Sequence, residues 1–514
     1  MKKNSLLVGT SILVFGAVIS KIVGAVYRIF LANIVGGEGI GMYQLIMSVY
    51  SFLVVLVTSG IPLAISKLIA DCNANDKQSH KSKIIKLSML FLAIISILLS
   101  IILILGAEKI AILQGNPEIK KSYFAIAPAL FFVSMIAVYK GYFQGECIFT
   151  PTAISQIVEQ VFKVGVGLAF ALIFVESGIL QAIFYAVIAI SISEVITFFY
   201  LLFVYAKHKK KEQQNCCDEK STKILQNVIS TTLPITLAGL AIPLSMFVDS
   251  FLVINMLKAN YSTEIATTMY GIQSGVVNSL INIPTILSFS LATAIMPNLT
   301  TNSKNVYECG QKLGVSSKII LLIVLPCVLG GVLFSREIIA AIYGNSLQVE
   351  GLDSLKLASE LLAISSVSML YIGFVQIFSI SLQAFDKKYV TLKNIFVAII
   401  IKIVFEVAFL STNYLNIYAL AIANVLCYMV AMLLDLFSLK KCVDFFVSGR
   451  DLLKIIFSTL FSMCIIYVLQ LLAFGRFWIV VSVLVGVVAY VISLFVFNVF
   501  NEHEKHLLFN RKLK

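Results

Sequence analysis

Apolar runs of about 20 residues recur along the whole chain, each long enough for a helix to cross ~30 Å of bilayer hydrocarbon. We count fourteen, near residues 5–34, 40–66, 84–106, 122–143, 153–175, 180–205, 229–257, 269–297, 317–334, 361–385, 391–410, 415–437, 453–473 and 477–500. An all-α, polytopic membrane protein is therefore predicted. Composition agrees: hydrophobic residues make up 59% of 514 and charged ones 13%. Mean hydropathy is +0.97. A soluble chain of this length would expose far more charge.

The net charge of +13 invites a nucleic-acid partner, but its distribution argues against one. With the N-terminus placed inside, most of the 39 Lys and Arg fall in cytoplasmic segments or at inner helix ends. Lys207, Lys209, Lys210 and Lys211 form the strongest cluster. That asymmetry is the positive-inside rule and puts both termini in the cytoplasm. Anionic lipid headgroups are the partner the basic balance implies. Met1-Lys2-Lys3 before an apolar run superficially resembles a signal peptide, yet the run is too long and contains Lys21 and Arg28. None of the nine cysteines falls in a segment assigned outside, and adjacent Cys216-Cys217 lack chelating spacing, so neither disulfide framework nor metal site is expected. The four histidines (His80, His208, His503, His506) are scattered and read as solvated surface groups. Trp478 opens the last run as an interfacial anchor.

The chain also matches itself. An offset of 239 places Gln144 on Gln383, Thr152 on Thr391, Lys163 on Lys402 and Ala169-Phe170 on Ala408-Phe409. Met42-Tyr43 and Met269-Tyr270 open the second and eighth runs. Two six-helix lobes of parallel orientation follow, 1–206 and 224–440, joined by a basic linker at 207–223. Residues 441–514 add a last helix pair and a cytoplasmic tail. Gly36, Gly37, Gly39 and Gly41 read as a short turn, since no strand precedes them as a phosphate loop requires.

Charges at bilayer depth cost roughly 2.5–3.5 kcal/mol each on insertion scales, so they single out candidate functional residues. Lys21 and Arg28, seven apart on the first helix, return to within about 20° of one face. Gln156, Glu159, Gln160 and Lys163 form a polar stripe on the fifth, with Glu159 and Lys163 spaced as an i,i+4 ion pair. Lys402 and Glu406 repeat that spacing in opposite order. Two readings stand. Each lysine could be neutralised by its neighbouring glutamate and serve packing alone. Alternatively Lys21, Arg28, Lys163 and Lys402 line a cavity between the lobes that takes a diphosphate, Arg gripping two oxygens and Lys acting as a point charge. The other polar groups, Gln156, Glu159, Gln160, Glu194, Asp249 and Glu406, are candidates for lining that cavity. Glu194 and Asp249 stand out among them as sites for H⁺ or Na⁺ coupling; the membrane potential acting on the cations directly is the alternative. No other cofactor is expected. Ser365, Ser366 and Ser368 read as small-residue helix packing.

The stretches SGIPLAISKLIA (59–70), VYKGYFQG (138–145), PTAISQIVEQ (151–160) and PITLAGLAIPLSMFVDSFLV (234–253) resemble the stage V sporulation protein B family. So does the Tyr270-Gly271 … Asn282-Ile283-Pro284-Thr285 pattern. That family of oligosaccharide flippases lies in the multidrug/oligosaccharidyl-lipid/polysaccharide exporter superfamily and is related to the lipid II flippase MurJ. The resemblance implies a two-lobed, fourteen-helix, alternating-access fold in a bacterial plasma membrane. It implies outward movement of an undecaprenyl-diphosphate-linked sugar, with the last two helices forming a groove for the lipid tail. Lys21, Lys140 and Lys163 stand where relatives commonly carry arginine, which keeps charge but loses two-pronged phosphate contact.

The expected function is thus a flippase for a lipid-linked peptidoglycan precursor, working as a monomer among membrane lipids and cell-wall synthases. A multidrug antiporter of the same superfamily is the first alternative, but it should carry acids where helix one is cationic. A polyprenyl-phosphate glycosyltransferase or ligase needs a catalytic acid or base, often with metal-binding carboxylates. The longest outer loop offers Glu337, Glu350 and Asp353 without a metal-like cluster, so no enzyme is expected. An inactive scaffold for synthases would tolerate loss of Lys163 and Lys402.

Overall fold

A computed structural model describes residues 3–74, 78–208, 221–301, 306–344, 346–412, 414–445, 448–472 and 475–499. Most of the basic linker (209–220), Cys216-Cys217, His503 and His506 lie outside the described residues. The described chain is all-helical, its one strand-like pairing a β-bridge between Val349 and Leu352. Contacts divide it into two compact units, Met1–Gly271 and Ile272–Lys514.

The first unit holds α1 (Lys3–Thr58), α2 (Ile61–Ala74), α3 (Gln78–Leu113), α4 (Lys120–Gly145), α5 (Thr150–Phe174), α6 (Ile179–His208), α7 (Ser221–Gly239), α8 (Ala241–Leu257) and α9 (Thr263–Gly271). α1 is 56 residues long, ~84 Å at 1.5 Å per residue, too much for one crossing. It is interrupted at Gly36, whose φ of 74° only glycine adopts readily. The glycine run is thus a kink inside a helix rather than a turn. α1 packs on α4, α5, α8 and α9, and α4 packs on α2, α3 and α6.

The unit ends at Gly271 instead of at the polar linker because α7–α9 pack on α1–α3. A Cβ at Gly41 would strike the carbonyl of Thr267, and one at Gly271 the carbonyl of Gly37, so α1 and α9 meet backbone to backbone. Around that seam Gln114 Nε2 donates to Leu45 O at 3.1 Å and to Ser250 Oγ at 3.0 Å. Ser48 and Tyr270 hydroxyls lie 3.3 Å apart.

The second unit opens with a π-helical turn (Ile272–Val277), followed by α10 (Asn278–Thr301), α11 (Val306–Leu333), α12 (Ser335–Ile342), α13 (Ser354–Ala384), α14 (Lys388–Phe409), α15 (Tyr418–Lys440), α16 (Gly449–Leu472) and α17 (Arg476–Val496). α13 is its centre, packed on α10, α11, α12 and α15. The last pair is fastened to α11. Lys318, 2% exposed, pairs with Asp451 at 2.8 Å, and Tyr490 Oη donates to Leu322 O at 2.9 Å.

Among the described residues, 11 helices are long and apolar enough to cross a membrane, or 12 with the bent pair 224–237 and 241–257 counted as one span. The difference from the fourteen expected runs has two sources. The first two runs are one continuous stretch of 60 residues, Phe15–Ala74. α14 is too rich in charge, with Lys388, Lys393, Lys402 and Glu406, to count by apolarity.

The internal match extends to the backbone. Under the 239 offset the ends of α4 and α13 coincide (Gly145, Ala384), as do the starts of α6 and α15 (Ile179, Tyr418). Cys147 and Asp386, equivalent by that offset, both have φ of 59°. Their caps repeat bond for bond: Cys147 N donates to Gln144 O at 3.0 Å and Asp386 N to Gln383 O at 3.1 Å. The following amides, Ile148 and Lys387, each reach back 2.8 Å to Phe143 O and Leu382 O. This is the Schellman pattern of helix termination.

Candidate substrate site

Three contacts set the register of α1 on α5. A Cβ at Gly16 would lie 3.1 Å from Ala153 Cβ, one at Gly24 lies 3.3 Å from Gln160 Oε1, and one at Gly167 lies 2.7 Å from Tyr27 Oη. The helices therefore run side by side in the same direction. Lys21 and Arg28 on α1 fall at heights that bracket Lys163 on α5. Lys21 is exposed; Arg28, Gln156, Glu159, Gln160 and Lys163 are half-buried. All six were chosen from spacing along single helices, and the fold sets those two helices side by side within one unit.

The expected Glu159–Lys163 pair does not form. Glu159 Oε2 lies instead 3.7 Å from Lys140 Nζ on α4, and Gln160 Nε2 donates to Glu159 Oε1 at 3.3 Å. Lys140 and Glu159 approach each other because α4 and α5 are both packed on α1 and α6. Lys163 has no carboxylate within ion-pair distance among the described residues. Glu194 on α6 is 5% exposed, its Oε2 without a hydrogen-bond partner, close enough to Glu159, Lys140 and Lys163 to interact electrostatically. Tyr50, buried on the second half of α1, faces Glu194 and Glu159. The group can hold an anion: Lys21, Arg28 and Lys163 stand on two neighbouring helices, with Glu159 engaged by Lys140 and Glu194 the buried acid that acts on Lys163.

Lys402 departs from its expected role. It is 3% exposed and Glu406 0%, with Nζ 3.6 Å from Oε1. The structure places it in a buried pair on α14, not on an open wall, because α13 and α15 cover that face. Its sequence equivalence to Lys163 is not an equivalence of environment. Asp249 is buried on α8, which packs on α1. Sequence reading missed Lys140 as the partner of Glu159, since that pairing depends on interhelical distance. It also missed Asp435 on α15, 2% exposed and bonded to Ser379 and Asn394, because an acid near the end of an apolar run reads as interfacial. Among the described residues no cluster of three His, Cys, Asp or Glu could hold a metal.

Residues 6–303, more than half of the chain, match the family of polysaccharide biosynthesis proteins. Among curated proteins, Stage V sporulation protein B of Bacillus subtilis (strain 168) is 27% identical over 356 residues, covering 67% of this chain and 68% of that protein. Lipid II flippase MurJ of the same organism is 25% identical over 498 residues, covering 92% and 90%. A solved structure of the lipid II flippase MurJ in an inward closed conformation superposes with a TM-score of 0.71 at 18% identity, over 94% of this chain and 98% of that one. An inward-facing multidrug resistance MATE family transporter gives 0.64 at 16% identity, over 82% and 94%. The fold is thus of the MurJ and MATE type, and the chain is a multi-pass membrane protein.

Proposed function

Because the chain belongs to the polysaccharide biosynthesis protein family, we propose that it is a flippase moving an undecaprenyl-diphosphate-linked cell-wall precursor, lipid II or a close analogue, across a bacterial plasma membrane by alternating access. It performs no covalent chemistry on that cargo. The observation that carries the reading is the packing of α1 beside α5, which puts Lys21, Arg28 and Lys163 on adjacent helices while Lys140, not Lys163, pairs with Glu159. Lys21, Arg28 and Lys163 bind the diphosphate headgroup, and Gln156 and Gln160 supply neutral hydrogen bonds beside it. The relation to stage V sporulation protein B and to MurJ supports this class of cargo. Both termini lie in the cytoplasm, in keeping with the Lys and Arg distribution. The protein acts as a monomer among membrane lipids and beside cell-wall synthases. The membrane potential, H⁺ or Na⁺ supplies the driving force.

Depletion in the native host tests the reading. A lipid-linked precursor should accumulate on the cytoplasmic leaflet; accumulation of none contradicts transport. Cationic-dye efflux that survives Lys21→Ala and Arg28→Ala would instead favour a multidrug antiporter.

A further inference from the structure

The second unit buries an acid that none of the above uses. Asp435 on α15 is 2% exposed. Ser379 Oγ on α13 donates to its Oδ2 at 2.6 Å, and Asn394 Nδ2 on α14 donates to its Oδ1 at 2.8 Å. Three helices thus converge on one carboxyl, and their contribution is neutral. Among the described residues no Lys, Arg or His lies within ion-pair distance of Asp435.

The internal repeat makes that absence specific. The 239 offset puts Lys140 on Ser379: in the first unit this position is a cation that pairs with a glutamate, and in the second it is a hydroxyl. An ionised carboxylate enclosed in a membrane-spanning bundle is costly unless a cation compensates it.

The remaining charged groups on the packed helices are elsewhere. Lys388 and Lys393 on α14, Lys440 on α15, Lys356 at the far start of α13 and the turn residues Asp386 and Lys387 are exposed. Lys402 is held by Glu406 about 12 Å further along α14, and Glu360 is bonded to Tyr418 at the opposite end of α13. The thiols of Cys427 and Cys442 lie about two turns to either side of Asp435.

We propose that Asp435, with Ser379 and Asn394, is a proton-binding site of the second unit. The carboxylate takes one proton from water at the near end of α15 and becomes a neutral acid. Ser379, whose hydroxyl donates to the ionised form, turns to accept from the protonated one, so both forms are hydrogen-bonded. Half-buried Ser438, one turn nearer the helix end and 3.3 Å from Asn394 Nδ2, links the site to that water. Asn394 offers only its amide N–H to the acid, a donor set suited to a carboxyl rather than to a metal ion. The inference concerns this acid whatever the cargo is.

Infrared difference spectra of the full-length protein in liposomes, taken between neutral and acid pH without substrate, test it. A protonated-carboxyl C=O band should appear, vanish in Asp435→Asn, and persist in Glu194→Gln. Ser379→Ala, which keeps the acid, should retain the band and move it to higher frequency, as loss of one hydrogen-bond partner requires. Identical bands in wild type and Asp435→Asn overturn the proposal, as does no band at any pH the fold survives. Abolition of the band by Na⁺ at fixed pH also overturns it, in favour of a sodium site. Because no cargo enters the measurement, its failure is separable from failure of the flippase reading.

Discussion

Glu159 on α5 reaches across to Lys140 on α4, 3.7 Å away, and not to Lys163 four residues along its own helix. That choice of partner engages Lys140 and leaves Lys163 without an ion pair to Glu159, with buried Glu194 the acid that still acts on it. Lys163→Ala should therefore reduce transport of a diphosphate lipid at least tenfold, roughly the loss of one charge-assisted contact. Lys163→Arg should retain it. Transport rates in proteoliposomes, normalised to inserted protein, distinguish the two.

Lys402 and Glu406 should behave as structural partners. Removing one member of a buried pair leaves an uncompensated charge, about 3–5 kcal/mol of destabilisation, whereas replacing both by apolar residues is often neutral. Lys402→Met alone should lower the thermal midpoint of the detergent-solubilised protein markedly, and Lys402→Met with Glu406→Leu should restore most of it. A single substitution that silences transport at unchanged stability would return Lys402 to the substrate path.

The α1–α9 seam leaves no room for side chains. Gly271→Leu must displace the backbone of Gly37 and Gly41, so a cost of about 1–3 kcal/mol is expected from overpacking. Thermal unfolding of the variant measures it. Substitution at Gly165, with nothing within 4 Å of its Cβ position, is the matched control and should leave the midpoint nearly unchanged.

The duplicated cap gives a paired prediction. Cys147 and Asp386 hold a left-handed conformation that costs an L-residue roughly 1–2 kcal/mol. Cys147→Gly and Asp386→Gly should each maintain or raise the thermal midpoint, and valine at either place should lower it. Opposite responses at the two positions would contradict their equivalence.

How much of this was readable from the sequence follows from which forces act locally. The spans were, because a bilayer demands a run of apolar residues of nearly fixed length. The continuity of α1 through Gly36 was not, since a glycine run reads equally as turn or kink. Lys163 stood out because a cation in an apolar run has few innocent explanations. Lys402 stood out for the same reason, yet only the covering of α14 by its neighbours shows it to be sealed. Lys140 as the partner of Glu159 and Ser379 as the partner of Asp435 belong to distances between helices, which no spacing along one helix encodes. The repeat was visible in scattered identities, and the matching caps at Cys147 and Asp386 give it a geometric basis.

The central claim is that the α1–α5 cations carry a diphosphate headgroup through the membrane. Its most direct test is the transbilayer movement of a fluorescent undecaprenyl-diphosphate-linked sugar in proteoliposomes holding the purified protein. Movement that depends on the protein, and is lost when Lys21, Arg28 and Lys163 are jointly replaced by glutamine in a variant that still folds, is the predicted result. Movement at the wild-type rate in that triple variant would contradict the account.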